Sequence, residues 1–350
     1  MRARQQAISA VLTMLIVAAG AAPASAQSQE VRIALPFPNG AAWPYFSVAD
    51  EMGYARDEGV SFRLIQTDGS AAAYKVMVTK EADIAFAQPA QVLNGLALGH
   101  DVVSIYTAYQ EHVYQFAAPE SSPYKRVADL KGTKIGISSV AGGQYAYLLA
   151  TLKNAGLSVG PGKDVEIAEV GRGGAATIAL RDKRIAAYSA SFVDMMQIKL
   201  NGEKIRIFKE GPTATFFSDS IVVRRADLEK DPKPFIGVSR AIARATLFCF
   251  ENKDACWNMI VKHVPDTAKR PEFTKPLLAE VLELHRSPEA AKGQWGYQRP
   301  DAWAAVQDFL IDSDQLKQTV DLGRAFTNAY IAEINNFDAV KVKQQAAAAK

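Results

Sequence analysis

The residues of this chain whose types could do chemistry sit mostly in short polar turns that follow apolar runs. Arg172, in Gly171-Arg172-Gly173-Gly174, is a cation among glycines. Its fork can hold a carboxylate or sulfonate through two parallel hydrogen bonds, although most arginines simply stay in water. Ser138-Ser139 and Gly142-Gly143 frame a turn of small residues, where backbone N–H groups can approach an anion closely or merely cap a helix. Asn39 can donate and accept hydrogen bonds. Trp43, in the same turn, can stack on a flat solute or staple the start of a helix to the core. Gln88 stands at the exit of an apolar run, placed to bond a solute or to brace its loop. Asp68 most simply caps the helix after it. Tyr109 and Tyr188 end two further runs as candidate aromatic walls, with Ser189 and Asp194 beside the second. Amides and rings outnumber charges here, and Arg172 is the one cation placed to face the site. The group suits a small flat organic solute, anionic in part, better than an inorganic anion.

No residue pattern supports bond-making, and no catalytic residue is expected. The chain has no G-x-S-x-G nucleophile turn, and its four histidines (His100, His112, His263, His285) are scattered without metal-ligand spacing. The turn around Arg172 is glycine-rich but is not G-x-G-x-x-G, so a dinucleotide fingerprint fits poorly. No metal and no cofactor is expected.

These turns need strands and helices to aim them. Apolar runs at Val31–Leu35, Val60–Thr67, Ala82–Ala87 and Val102–Tyr109 predict strands, separated by predicted helices over Pro44–Arg56, Ala71–Thr79 and Ala90–Leu98. After Pro119 and Pro123 the pattern restarts with a helical turn at Val127–Leu130. Strands follow at Lys134–Ile137, Val165–Val170, Ile185–Ser189 and Ile205–Phe208, with helices at Gly143–Ala155 and Ala175–Arg181. Strands alternating with helices of about 10 residues imply βα units and a mostly parallel sheet. Candidate residues then fall at strand exits, where open α/β sheets bind ligands. Ser220–Val223 reads as one more strand. The rest is helical: Pro234–Phe250, Ala255–His263, Thr274–Leu284, Pro300–Ser313 and Leu322–Ile334. A faint internal echo joins Lys80–Ala87 to Asp182–Ser189, each following an amphipathic helix and leading a strand into a polar exit.

The first 26 residues read as a secretory leader. Arg2 and Arg4 precede an apolar run from Ala7 to Ala19, and Ala24-Ser25-Ala26 offers a cleavage site near Ala26. The apolar run is short for a membrane span. A periplasmic mature protein of about 320 residues follows, large enough for two compact lobes. The net charge of +3 drops to about +1 without Arg2 and Arg4, which gives no reason to expect nucleic acid. Cys249 and Cys256 would lie about 10 Å apart on one unbroken helix, beyond the roughly 7 Å that a disulfide tolerates. Glu251-Asn252-Lys253-Asp254 between them can break the helix, so a bridge and two buried thiols both stay open. Residues 341–350 read as a solvated, flexible tail.

Several segments, in this order, resemble one family. Glu51-Met52-Gly53-Tyr54-Ala55-Arg56-Asp57-Glu58-Gly59-Val60 is similar to its A-x-x-x-G-x-[FY]-x-x-x-G-[LIV] pattern. Lys80-Glu81-Ala82-Asp83-Ile84-Ala85 is similar to its G-x-x-D-[IVF]-[AG], and Val127-Ala128-Asp129-Leu130-Lys131-Gly132-Thr133-Lys134-Ile135-Gly136 to its DLKGKKIGV, with Gly142-Gly143-Gln144-Tyr145 close behind. The chain departs at Glu81, a common Gly, and at Ala186, a usual Asp. The family is that of the solute-binding proteins of bacterial ABC importers, in the SsuA/THI5-like group that includes sulfonate, taurine, nitrate and thiamine-pyrimidine binders. The resemblance covers most of residues 29–335. It implies an α/β fold of the type II periplasmic binding protein kind: two α/β lobes, a ligand cleft between them and two crossover hinges. The hinges are expected at Tyr114–Pro119 and Gly211–Asp219. Residues 29–116 and 218–340 would then form the first lobe and residues 117–217 the second. The implied partners are a small solute and an inner-membrane permease with its ATPase, served by a monomer. A ligand sensor for a membrane receptor would use the same lobes. A pyrimidine-synthesis enzyme of the same group is cytoplasmic and carries a cysteine-rich motif, whereas this chain has a leader and no cysteine cluster.

Overall fold

A computed structural model describes residues 28–37, 40–140, 143–210 and 215–350. The expected leader, Asn39, Gly142 and the first four residues of the hinge expected at Gly211–Asp219 lie outside the described residues. Two five-stranded sheets organise the chain. The first holds β1 (Gln29–Leu35), β2 (Val60–Gln66), β3 (Ile84–Ala87), β4 (Val102–Thr107) and β10 (Ser220–Arg224), in the order β2-β1-β3-β10-β4. The second holds β5 (Tyr114–Pro119), β6 (Thr133–Ile137), β7 (Val165–Glu169), β8 (Ala187–Ser191) and β9 (Ile205–Ile207), in the order β7-β6-β8-β5-β9. The sheets share one plan. Each has three parallel strands followed by a strand that runs antiparallel to both its neighbours, β10 in the first and β5 in the second. β3 and β4 are buried along their whole length, as expected of strands covered on both faces.

The internal echo falls on equivalent strands. β3 and β8 occupy the same place in the two orders, and each is preceded by a lysine in the left-handed region, Lys80 at φ 68° and Lys183 at φ 56°. Both lysines reverse the chain between a helix end and the next strand.

The chain passes from the first sheet to the second through residues 108–113 and returns before β10. Tyr114–Pro119, expected as the first hinge, is instead β5, paired with β8 and β9. The two crossings clasp each other. Ser218 N donates to Tyr109 O at 2.9 Å, and Ala108 N and Tyr109 N donate to Asp219 O at 3.0 and 3.2 Å.

The long helix Lys233–Glu251 covers the first sheet with its buried face. Asn252 breaks it (φ −144°) and caps the next helix, Lys253–His263, accepting from Ala255 N at 3.0 Å. That break brings Cys249 and Cys256 to a Cα separation of 5.1 Å, and they form a disulfide. The tail also differs from expectation. Ala339–Ala348 is a helix that buries Val342 and Ala346, and Asn252 Nδ2 donates to Ala346 O and Ala349 O. Leu322–Ile334, expected as one helix, divides into two short helical turns because Thr327 N donates to Ser104 O beside β4 and holds the chain extended there. No helix of the described residues is long and apolar enough to cross a membrane.

Candidate functional site

The shared plan brings two strand edges toward each other. On the first sheet, the carboxyl ends of the parallel strands lead to Phe37, to Ser70 at the start of helix Ser70–Val78, to Gln88 before helix Pro89–Ala97, and to Tyr109. β10 runs the other way, so its first residue, Ser220, pairs with Ala87 and Thr107 at that same edge. Asp219 therefore joins the edge from outside the parallel set. On the second sheet the edge carries Ser138-Ser139 after β6, Arg172 after β7 and Asp194 just after β8. Antiparallel β5 again contributes its start, with Tyr114 opposite Ser191.

Trp43 and Tyr109 are interior residues. Both are fully buried. The Trp43 indole lies between the Phe37 ring (4.6 Å, 23°) and the Tyr109 ring (5.3 Å, 10°), with Phe86 against its edge, and Nε1 donates to Phe37 O at 3.3 Å. The Tyr109 hydroxyl donates to Ala42 O. Neither ring offers a face to a solute. The expectation that they do is corrected, because aromatic contacts pin the start of helix Pro44–Glu51 to the sheet. Tyr188 is also fully buried, and its hydroxyl donates to Gly171 O at 2.9 Å. It braces the turn that carries Arg172 instead of forming an open wall.

The turn after β6 is braced from inside. Gln144, on helix Gly143–Asn154, donates from Nε2 to Ser138 Oγ at 2.6 Å and to Ser139 O at 3.1 Å. Arg172 is exposed and forms an ion pair with no carboxylate among the described residues. Its charge acts on Tyr114, Tyr188 and Asp194. Burial raises the Asp194 carboxyl, while Ser191 Oγ, donating at 2.7 Å, and Arg172 draw it down.

Tyr114 links the two edges. Burial and then the Asp219 charge push its phenol up to about 12, while the Gln88 amide and the Arg172 charge pull it down. Gln88 and Asp219 belong to the first edge and Arg172 to the second, so one side chain senses both. Asp219 is 1% exposed, and burial pushes its carboxyl up to about 7. Ser70 Oγ donates to Oδ1 at 3.2 Å, and Oδ2 has no partner among the described residues. His112, in the first crossing, lies among Tyr114, Tyr147 and Phe216 and is held down to about 4 by burial. Among the described residues no group of three or more His, Cys, Asp or Glu is placed to hold a metal.

Ser70, Tyr114 and Asp219, which the structure adds to these edges, are not among the candidates expected from the sequence. The rule used there looks at the exits of parallel strands, and Tyr114 and Asp219 enter at the starts of antiparallel ones. The signal available was the turn context of Ser70 and the position of Asp219 directly before the isolated strand Ser220–Val223.

Comparison with known proteins places this geometry. The family model described as NMT1/THI5 like matches residues 44–256. A curated relative, the riboflavin-binding protein RibY of Chloroflexus aurantiacus, is 25% identical over 318 residues, which covers 90% of this chain and 89% of RibY. The periplasmic aliphatic sulphonate binding protein SsuA from Escherichia coli superposes with a TM-score of 0.63 at 16% identity, covering 85% of this chain and 91% of SsuA. The desulfurization enzyme DSZB superposes at 0.59 with 16% identity, covering 88% of this chain and 99% of DSZB. The fold is the two-lobe, type II periplasmic binding protein fold.

Proposed function

This chain belongs to the NMT1/THI5-like family, and we propose that it is the periplasmic substrate-binding component of an ABC importer. In this reading it captures a small flat organic solute between its lobes and delivers it to a membrane permease. The observation that carries the reading is the repeated sheet plan, which sets Gln88 and Asp219 at the strand-exit edge of one sheet and Arg172 at that of the other, on either side of the crossings. The sheets are joined by two crossings that hydrogen-bond to each other, and a few torsions in such segments can rotate a whole lobe. Solute contacts to both edges would stabilise the closed form over the open one. Gln88, Ser138, Ser139, Arg172, Tyr114 and Asp219 form the proposed site, with Tyr188 and Gln144 positioning it. The leader-like pattern of residues 1–26 is the sequence support for export to the periplasm.

The solute class follows from the mixture of groups. A single exposed guanidinium, a buried carboxyl and two amide or phenol groups suit a nitrogen heterocycle better than a sulfonate, which would repel Asp219 when that residue is ionised. The riboflavin named for the relative RibY is of this class. An enzymatic role has less support, because both cysteines are tied in the disulfide.

Thermal unfolding with riboflavin, a 4-aminopyrimidine, taurine, a longer alkanesulfonate and nitrate tests the proposal. Ligand at 100 times its Kd stabilises the folded state by about 2.7 kcal/mol. Riboflavin or the pyrimidine is expected to raise the midpoint, and taurine and nitrate to leave it unchanged. A response to the sulfonates alone would overturn the solute class.

A further inference from the structure

Resting on the cleft reading above, we infer that Asp219 reads a ring N–H of the solute. Its free Oδ2 accepts that hydrogen bond, so the solute carries an imide or amide N–H edge. Four observations bring this together. Asp219 stands at the carboxyl edge of the first sheet, where β10 enters beside the ends of β3 and β4. Its side chain is almost wholly buried, yet Oδ2 meets no donor among the described residues, and no cation there lies within ion-pair distance. Oδ1 is already taken by Ser70 Oγ, which turns the carboxyl plane and leaves a single acceptor oxygen. Ser218, the neighbour of Asp219, donates from N to Tyr109 O in the crossing that leads to Tyr114 at the start of β5, so the carboxyl stands beside the segment that joins the two edges.

A buried carboxyl with one unmet oxygen is costly to keep, and among the described residues its one side-chain partner is Ser70. The structural work of residue 219 is done by its backbone carbonyl, which accepts from Ala108 N and Tyr109 N and ties the two crossings together. A side chain with no acceptor would leave that clasp intact. Buried polar groups normally find partners, and an unmet acceptor at a ligand edge is met by the ligand. Gln88 follows Ala87, which pairs with Ser220 next to Asp219, and its amide can donate and accept. Asp219 and Gln88 form an acceptor–donor edge matched to the N–H/C=O edge of an imide. Burial that raises the carboxyl to about 7 lets it accept most strongly above neutral pH.

Riboflavin and 3-methylriboflavin, which lacks the imide N–H, separate the possibilities. Quenching of flavin fluorescence at pH 8 would give both affinities for wild type, Asp219→Leu and Asp219→Asn. Wild type is expected to prefer riboflavin by about 10–100-fold, the worth of a hydrogen bond to a charged group. Asp219→Leu is expected to bind the two flavins equally, near the weaker wild-type value. If that variant does not fold, Asp219→Asn should narrow the preference several-fold. Equal binding of both flavins by wild type, or an undiminished preference in the variants, would overturn the assignment to Asp219 while leaving the solute reading in place. Binding of neither flavin by wild type would overturn both.

Discussion

The two sheet edges are built to the same plan and furnished in opposite ways. The first edge is packed by its own side chains, with Trp43 clamped between Phe37 and Tyr109 and the Asp219 carboxyl buried beside Ser70. The second edge is made of small residues and glycine-rich turns, and it leaves Arg172 exposed. One edge is a packed, acceptor-bearing wall and the other an open cationic turn. Topology supplies the same edge twice, and side-chain packing decides which of the two is filled. Binding energy is best used where little ordering cost remains, so the first edge should set orientation and the second should report closure.

That contrast can be broken at its most packed point. Trp43→Ala removes a fully buried indole with protein on both faces, and large-to-small changes of this kind cost about 3–5 kcal/mol. Chemical denaturation should show that loss in solute-free protein. A change below about 1 kcal/mol would mean that the first edge is not the packed one.

Asp219 gives a pH signature of nearly the same size. Its folded pKa of about 7 lies above the ordinary 3.8, so the native state holds the proton more tightly than the unfolded chain. The stability it confers is present below the unfolded value and is lost as pH rises through the folded one. The loss is on the order of 4 kcal/mol and is complete above neutral pH. The groups facing it are the Tyr45, Tyr109 and Tyr114 phenols, the Ser70 hydroxyl and, beyond Tyr114, Arg172. Solute-free Asp219→Asn should therefore gain stability over wild type at pH 8 and lose that advantage near pH 4. Denaturation midpoints that run parallel at every pH would remove Asp219 from the account.

The smallest effect on stability belongs to the second edge. Arg172→Ala should leave solute-free stability within about 0.5 kcal/mol and still reduce the solute-induced rise in melting temperature. Equal solute responses from this variant and wild type would place the cation outside the site.

Much of this fold was readable from local pattern, because buried parallel strands are short apolar runs and their helices alternate with them. The Lys80 and Lys183 turns even exposed the repeat. What local pattern could not show was partnership. Tyr114–Pro119 carries two prolines nearby and looked like a connection, yet it is a strand because β8 and β9 flank it. The tail looked solvated, with lysines and glutamines around Val342 and Ala346, but those two small apolar residues suffice to dock a helix on Lys233–Glu251. Between two outcomes for the cysteines, the helix break at Asn252 decided for the bridge. Trp43 was legible as an aromatic at a strand exit, but the rings on both its faces come from Phe37 and Tyr109, far apart in the chain in the second case. Asp219 was invisible to a rule written for parallel strands.

In the proposed function, two hinged lobes close on one flat solute held between Asp219 and Arg172. Small-angle X-ray scattering of the purified protein, with and without saturating riboflavin, measures this most directly. A smaller radius of gyration with riboflavin, abolished in Arg172→Ala paired with Asp219→Leu, is the predicted result. An unchanged radius in wild type carrying bound riboflavin would contradict it.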